Sequence, residues 1–121
     1  MPNNVAYLTH FKGDIALKET TSIKSLEKIL RVLEATKELS DVVSLDMDTK
    51  MLYVSGNLDN STELVERFFA KVAKVIVDGG RIQVKGDDVA DRYDLVFQDQ
   101  QLYLQPYDLV PGTLTLYQIN Q

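Results

Sequence analysis

The spacing of apolar residues switches between two periods along this chain, and the order of the switches leaves few folds open to it. Val5, Tyr7, Thr9 and Phe11 recur at every second residue, the period of a half-buried strand, and the pattern continues past Gly13 to Ile15 and Leu17 after a bend or bulge. Ile23, Leu26, Leu30 and Leu33 then fall at three- and four-residue spacing, with Ile29 and Val32 widening the stripe and Thr21 or Ser22 placed to cap it, which predicts an amphipathic helix. Alternation returns in Val43, Leu45 and Met47; Asp48-Thr49-Lys50 turns the chain into residues 51–55, a hairpin that Gly56 ends. Asn60-Ser61-Thr62-Glu63 has the form of a capping box and opens a second helix carrying Leu64, Val65, Phe68, Phe69, Val72, Val75 and Ile76, which Asp78-Gly79-Gly80 stops. Residues 81–85 alternate with Ile82 and Val84 inward.

Strand, helix, strand, strand, helix, strand is the split βαβ or ferredoxin-like order. Beyond it, residues 93–98 and 101–107 predict a second hairpin turning at Asp99-Gln100, and Pro111-Gly112 separates that hairpin from an alternating segment, residues 113–119. The expectation is one α+β domain over residues 1–121. Residues 1–85 form a ferredoxin-like core, and residues 86–121 an acidic, tyrosine-bearing extension that enlarges a mostly antiparallel sheet under two helices. With 121 residues, the chain buries roughly two-thirds of its unfolded surface, enough for a core of its own.

The net charge of −5 is placed unevenly. Residues 1–85 hold 12 Lys and Arg against 12 Asp and Glu, whereas residues 86–121 hold six Asp and only Arg92. Asp87, Asp88, Asp91 and Asp94 lie within eight residues, but their register fails the EF-hand test because the glycine precedes the acids and no Glu occupies the twelfth position. No metal and no cofactor are expected. An acidic balance also argues against direct binding to nucleic acid. The RNA-recognition module shares the predicted element order, and Tyr7, Phe11 and Tyr53 stand near its stacking positions, but its glycine and paired aromatics are missing, so Tyr7 and Phe11 are assigned to the core.

Catalytic groups are sparse. There is no cysteine, and His10 is the only histidine; it is read as a partly buried structural residue because general base catalysis needs a partner and a pocket. Phosphate-binding glycine loops and nucleophile elbows are absent, so the chain is read as a non-enzyme with no catalytic residue. No stretch approaches the roughly 20 apolar residues of a membrane span. Met1-Pro2-Asn3-Asn4-Val5 lacks the charged start of a signal peptide, and the expected location is cytoplasmic.

The stretch Gly80-Arg81-Ile82-Gln83-Val84-Lys85-Gly86-Asp87-Asp88, followed by Asp91, Tyr93, Leu95 and Val96, resembles the closing segment of small α+β proteins of unknown function from bacteria and phages. They share a strand, a Gly-acid-acid turn and an aromatic-led hairpin. The resemblance implies a mobile-element setting and transfers no functional residue.

Tyrosine among carboxylates suggests recognition of a protein. In Gln101-Leu102-Tyr103-Leu104-Gln105 the leucines take one face and leave Tyr103 on the other, and tyrosine brings large contact area at small entropic cost. The reading is a non-catalytic interaction module that occludes a basic partner such as a nuclease, of the toxin-immunity or phage anti-defence (anti-CRISPR) type. Asp87, Asp88, Asp91, Asp94, Tyr93 and Tyr103 are its partner-binding residues. Two alternatives stand beside it: a small-ligand regulatory module between helices and sheet, and a domain that dimerises through an exposed sheet edge.

Overall fold

The computed structural model of the protein describes residues 8–59, 62–86, 92–106 and 115–117. Seven strands, β1 Leu8–Ala16, β2 Val43–Asp46, β3 Met51–Asp59, β4 Arg81–Lys85, β5 Arg92–Gln98, β6 Gln101–Pro106 and β7 Thr115–Leu116, form one sheet. They stand in the order β2-β3-β1-β4-β5-β6-β7, and every neighbouring pair is antiparallel. Helix α1 spans Ile23–Ala35, α2 Lys37–Ser40 and α3 Thr62–Val72, the last continued by a 3-10 turn over Ala73–Val75. The architecture is therefore α+β, with an antiparallel sheet as its largest element.

Alternation decides which side of the sheet is dry on β1, β3 and β4, whereas on β5 Leu95, Val96 and Phe97 are all buried. Phe11 and Ile15 on β1, Leu52 and Val54 on β3, Ile82 and Val84 on β4, and Leu95 and Phe97 on β5 are all buried, while their strand neighbours His10, Lys12, Ser55, Gln83 and Lys85 are exposed. The buried set joins Leu26, Ile29 and Leu33 of α1 and Val65, Phe68 and Phe69 of α3 in one cluster, so the helices cover this face. At its centre Phe69 meets Phe68 and Phe97 edge to face, with ring centroids 5.0 and 5.7 Å apart, the arrangement that the ring quadrupole favours.

Several local expectations are met. Ser22 caps α1, its hydroxyl accepting from the Ser25 amide at 3.1 Å. The β5–β6 hairpin turns at Asp99 and Gln100, both at positive φ, 55° and 65°, as a two-residue turn of the I′ kind requires. That turn lacks the usual glycine and is held from outside: the Asp99 amide donates to the Asp78 carboxylate at 3.0 Å.

Others are corrected. β1 has no bulge at Gly13, since its pairing with β3 runs unbroken from Leu8 opposite Asp59 to Ala16 opposite Met51. Gly13 is needed for closeness instead: a Cβ there would stand 2.5 Å from the Arg81 carbonyl oxygen of β4. Gly56 does not end β3 but lies within it at φ +142°, where a Cβ would meet Val42 Cγ1 at 2.9 Å. Ile23, placed in the inward stripe of α1, is 68% exposed, because the buried stripe starts one turn later at Leu26. The short α2 was not foreseen; it carries Leu39 into the core. α3 gives way to the 3-10 turn after Val72, and Ile76 already bridges Leu17. Asp78-Gly79-Gly80 therefore does not cap the helix but fastens the turn to β5, with Gly79 N–H donating to Phe97 C=O at 2.8 Å and Phe97 N–H to Gly80 C=O at 3.0 Å. Asn60 and Ser61, the expected cap of α3, and Tyr7 lie outside the described residues.

Candidate interaction surface

The face of the sheet turned away from the helices is built by residues that the period-two pattern sends outward. Its side chains form rows across the strands. One reads Asn57, His10, Lys85, Arg92 across β3, β1, β4 and β5; the next reads Ser55, Lys12, Gln83, Asp94, Gln105 and reaches β6. A third joins Ser44, Tyr53 and Asp14 on one side and Arg81, Val96, Tyr103 and Leu116 on the other.

His10, Lys12, Lys85 and Arg92 put cationic or protonatable groups in the middle of this face, where Asn57, Gln83 and Ser55 help to line a shallow concavity of about 340 Å³. His10 is exposed rather than partly buried, and its Nδ1–H donates to the Asn57 side-chain oxygen. Lys85 and Arg92 stand directly opposite each other, a like-charge pairing that destabilises a sheet. In sequence these two residues bracket the segment containing Asp87, Asp88 and Asp91, which lies outside the described residues.

The remaining expected contact residues divide between the two faces. Asp94 lies on the open face, 16% exposed at its side chain, and receives an Arg81 guanidinium hydrogen bond at 2.9 Å; the same nitrogen donates to Gln105 Oε1 at 2.8 Å. Tyr103 is on that face too, half-buried between Val96 and Leu116 in register, its hydroxyl donating to Gln101 Oε1 at 3.3 Å. Val96, though on the open face, is only 5% exposed. Tyr93 points the other way, towards the helices, and its hydroxyl donates to the Glu66 carboxylate on α3. It thus serves the interior and is not on the surface of Asp94 and Tyr103.

Glu66 was not singled out from the sequence. Burial pushes its carboxyl above the usual carboxylate range, the Tyr93 hydrogen bond opposes that rise, and the neighbouring Glu63 charge adds to it. Tyr117 is also raised, through desolvation first and then the charges of Glu66 and Glu63, with Arg67 acting against them. The available signal was the position of Glu66 beside Val65 and three residues before Phe69, on the flank of the apolar stripe of α3.

Among the described residues no group of three or more His, Asp or Glu side chains is placed to hold a metal ion, and no helix is long and apolar enough to cross a membrane. Compared with known proteins, the chain matches no family model, no curated protein and no solved structure.

Proposed function

We propose that this protein is a non-catalytic interaction module that docks a protein partner on the open face of its sheet. The observation that carries the reading is one-sided cover: helices pack on one face, and the other presents Tyr53 at 39% exposure, Tyr103 and Leu116 among charged and amide side chains. Seven strands at about 4.8 Å spacing make a face roughly 29 Å wide, large enough for the ~800 Å² per partner of a stable complex. Aromatic anchors set in a polar field are the usual composition of such contacts.

Within that reading the acidic segment at residues 87–91 meets basic residues of the partner, Asp94 and Tyr103 extend the contact along β5 and β6, and acidic residues of the partner face the cationic centre at His10, Lys12, Lys85 and Arg92. The partner class is a basic protein such as a nuclease, occluded in toxin immunity or phage anti-defence, acting in the cytoplasm, where a chain without cysteine loses nothing to a reducing medium. We also read the first four strands, in the order β2-β3-β1-β4, as a ferredoxin-like split βαβ core that β5, β6 and β7 enlarge; the crossing of β1 between β3 and β4 supports this.

Charge reversal tests it. Asp88→Lys with Asp91→Lys should weaken capture of the basic partner at least tenfold and slow association, with the melting temperature of the free protein unchanged, and added salt should slow association of the unaltered protein. Capture that survives both the reversal and Tyr103→Ala would sink the reading.

A further inference from the structure

On the opposite side of the molecule from the open face, α1 and α3 do not close on each other. Between them runs a groove of about 520 Å³. It is lined along α1 from Ser25 to the C-cap Thr36 and along α3 from Leu64 to Val72. The α1 stretch covers twelve residues and the α3 stretch nine, so the groove is about 12 to 16 Å long at 1.5 Å per residue.

Its floor and rim differ in chemistry. Ile29, Leu39 and Phe68 are buried below, and Val32, 49% exposed, stands in the wall with its apolar surface open. All four charged residues that line the groove are cations, Lys28, Arg67, Lys71 and Lys74. Arg67 is held by Glu63 at 3.0 Å. Among the described residues no carboxylate lies within ion-pairing distance of Lys28, Lys71 or Lys74. In a chain of net charge −5, a groove rimmed only by cations departs from the overall balance, and three unpaired ammonium groups beside open apolar surface attract an anion that also carries an apolar body.

We propose that this groove binds a single-chain anionic amphiphile: an aliphatic chain along Ile29, Val32 and Phe68, and an anionic head, carboxylate or phosphate, among Lys28, Lys71 and Lys74. Size favours a small molecule over a docked helix. The groove has length for only about two to three helical turns at 5.4 Å per turn, too few for a helix to persist on its own in water, whereas 520 Å³ lies within the range of ligand pockets, about 300–1,000 Å³. The site shares no residue with the open face, so it stands or falls separately from the docking proposed above.

The test uses decanoate and decyl phosphate, both below their micelle concentrations, with decanol as the neutral and decyltrimethylammonium as the cationic control. The expected result is saturable one-to-one binding of at least one anion by calorimetry, with methyl shifts centred on Ile29, Val32, Leu64 and Val72, and binding of both controls at least tenfold weaker. If decanoate binds and decyl phosphate does not, or the reverse, the head group is assigned. Lys71→Glu with Lys74→Glu, both exposed positions, should weaken the anion at least tenfold at unchanged melting temperature, and Val32→Asp should remove binding. Equal binding of all four decyl compounds, shifts centred on the open face, anion binding untouched by these variants, or binding only of an acidic amphipathic peptide would each overturn the proposal.

Discussion

The two faces of the sheet are made by the same strands, one residue out of step, and they behave as different materials. On the covered face, Phe11, Ile15, Leu52, Ile82 and Leu95 are buried and interlock with two helices. On the open face, the neighbouring His10, Lys12, Asp14, Ser55 and Gln83 are exposed. Stability is thus concentrated on one side, and the other, apart from the buried Val96, can vary its chemistry with little effect on the fold. A protein that must recognise something gains from this division, because the recognising surface is held flat by a core to which it contributes little.

Substitutions can break that contrast or sharpen it. The largest effect belongs to the covered face: Phe69→Ala removes the ring between Phe68 and Phe97 and should cost about 3–5 kcal/mol in chemical denaturation. Gly13→Ala comes next, on the order of 2 kcal/mol, since its methyl group would press on the β4 backbone and the strands must part. An equal loss for Lys12→Ala, one residue away on the open face, would contradict the division, because that change should stay within about 0.5 kcal/mol.

The smallest effect depends on pH and lies on the covered side, where Tyr93 of β5 meets Glu66 of α3. Glu66 binds its proton more tightly in the folded chain than in the unfolded one, so its contribution favours folding at low pH and is lost as pH rises through its raised pKa. Glu66→Gln, which keeps an acceptor for Tyr93, should therefore raise the melting temperature at pH 7 and lose that advantage as pH falls into the ordinary carboxylate range. The Glu63 charge faces Glu66 and adds to the rise, and Tyr117 lies within reach of both carboxylates. A variant less stable than the parent at pH 7 would show that the charged carboxylate is itself required.

Most elements were legible because they rest on local signals. Period-two runs at residues 43–46 and 81–85, the Ser22 cap and the Asp99-Gln100 turn each depend on residues close in sequence. Gly13 and Gly56 were misread because their reasons are distant: the approach of β4 in one case, and Val42 beneath a positive φ in the other. The candidate contact residues show another limit. Composition grouped Tyr93 with Asp94 and Tyr103, yet consecutive residues of a strand point to opposite faces, so alternation alone already separated Tyr93 from the other two. The cationic groove had no signature along the chain, since Lys28 and Lys71 come to line one groove only when α1 and α3 lie on the same face of the sheet.

The lengths of the strands carry a consequence for the protein in bulk. β1 and β3 inside the sheet run nine residues each, whereas β2 at one rim runs four. A rim strand as short as β2 offers an incoming chain only a few backbone groups to pair with, and short rims are among the devices by which natural sheets avoid stacking edge to edge. Crowding such molecules together, as in a cell filling with one abundant product, should bring open faces into contact before the β2 rim.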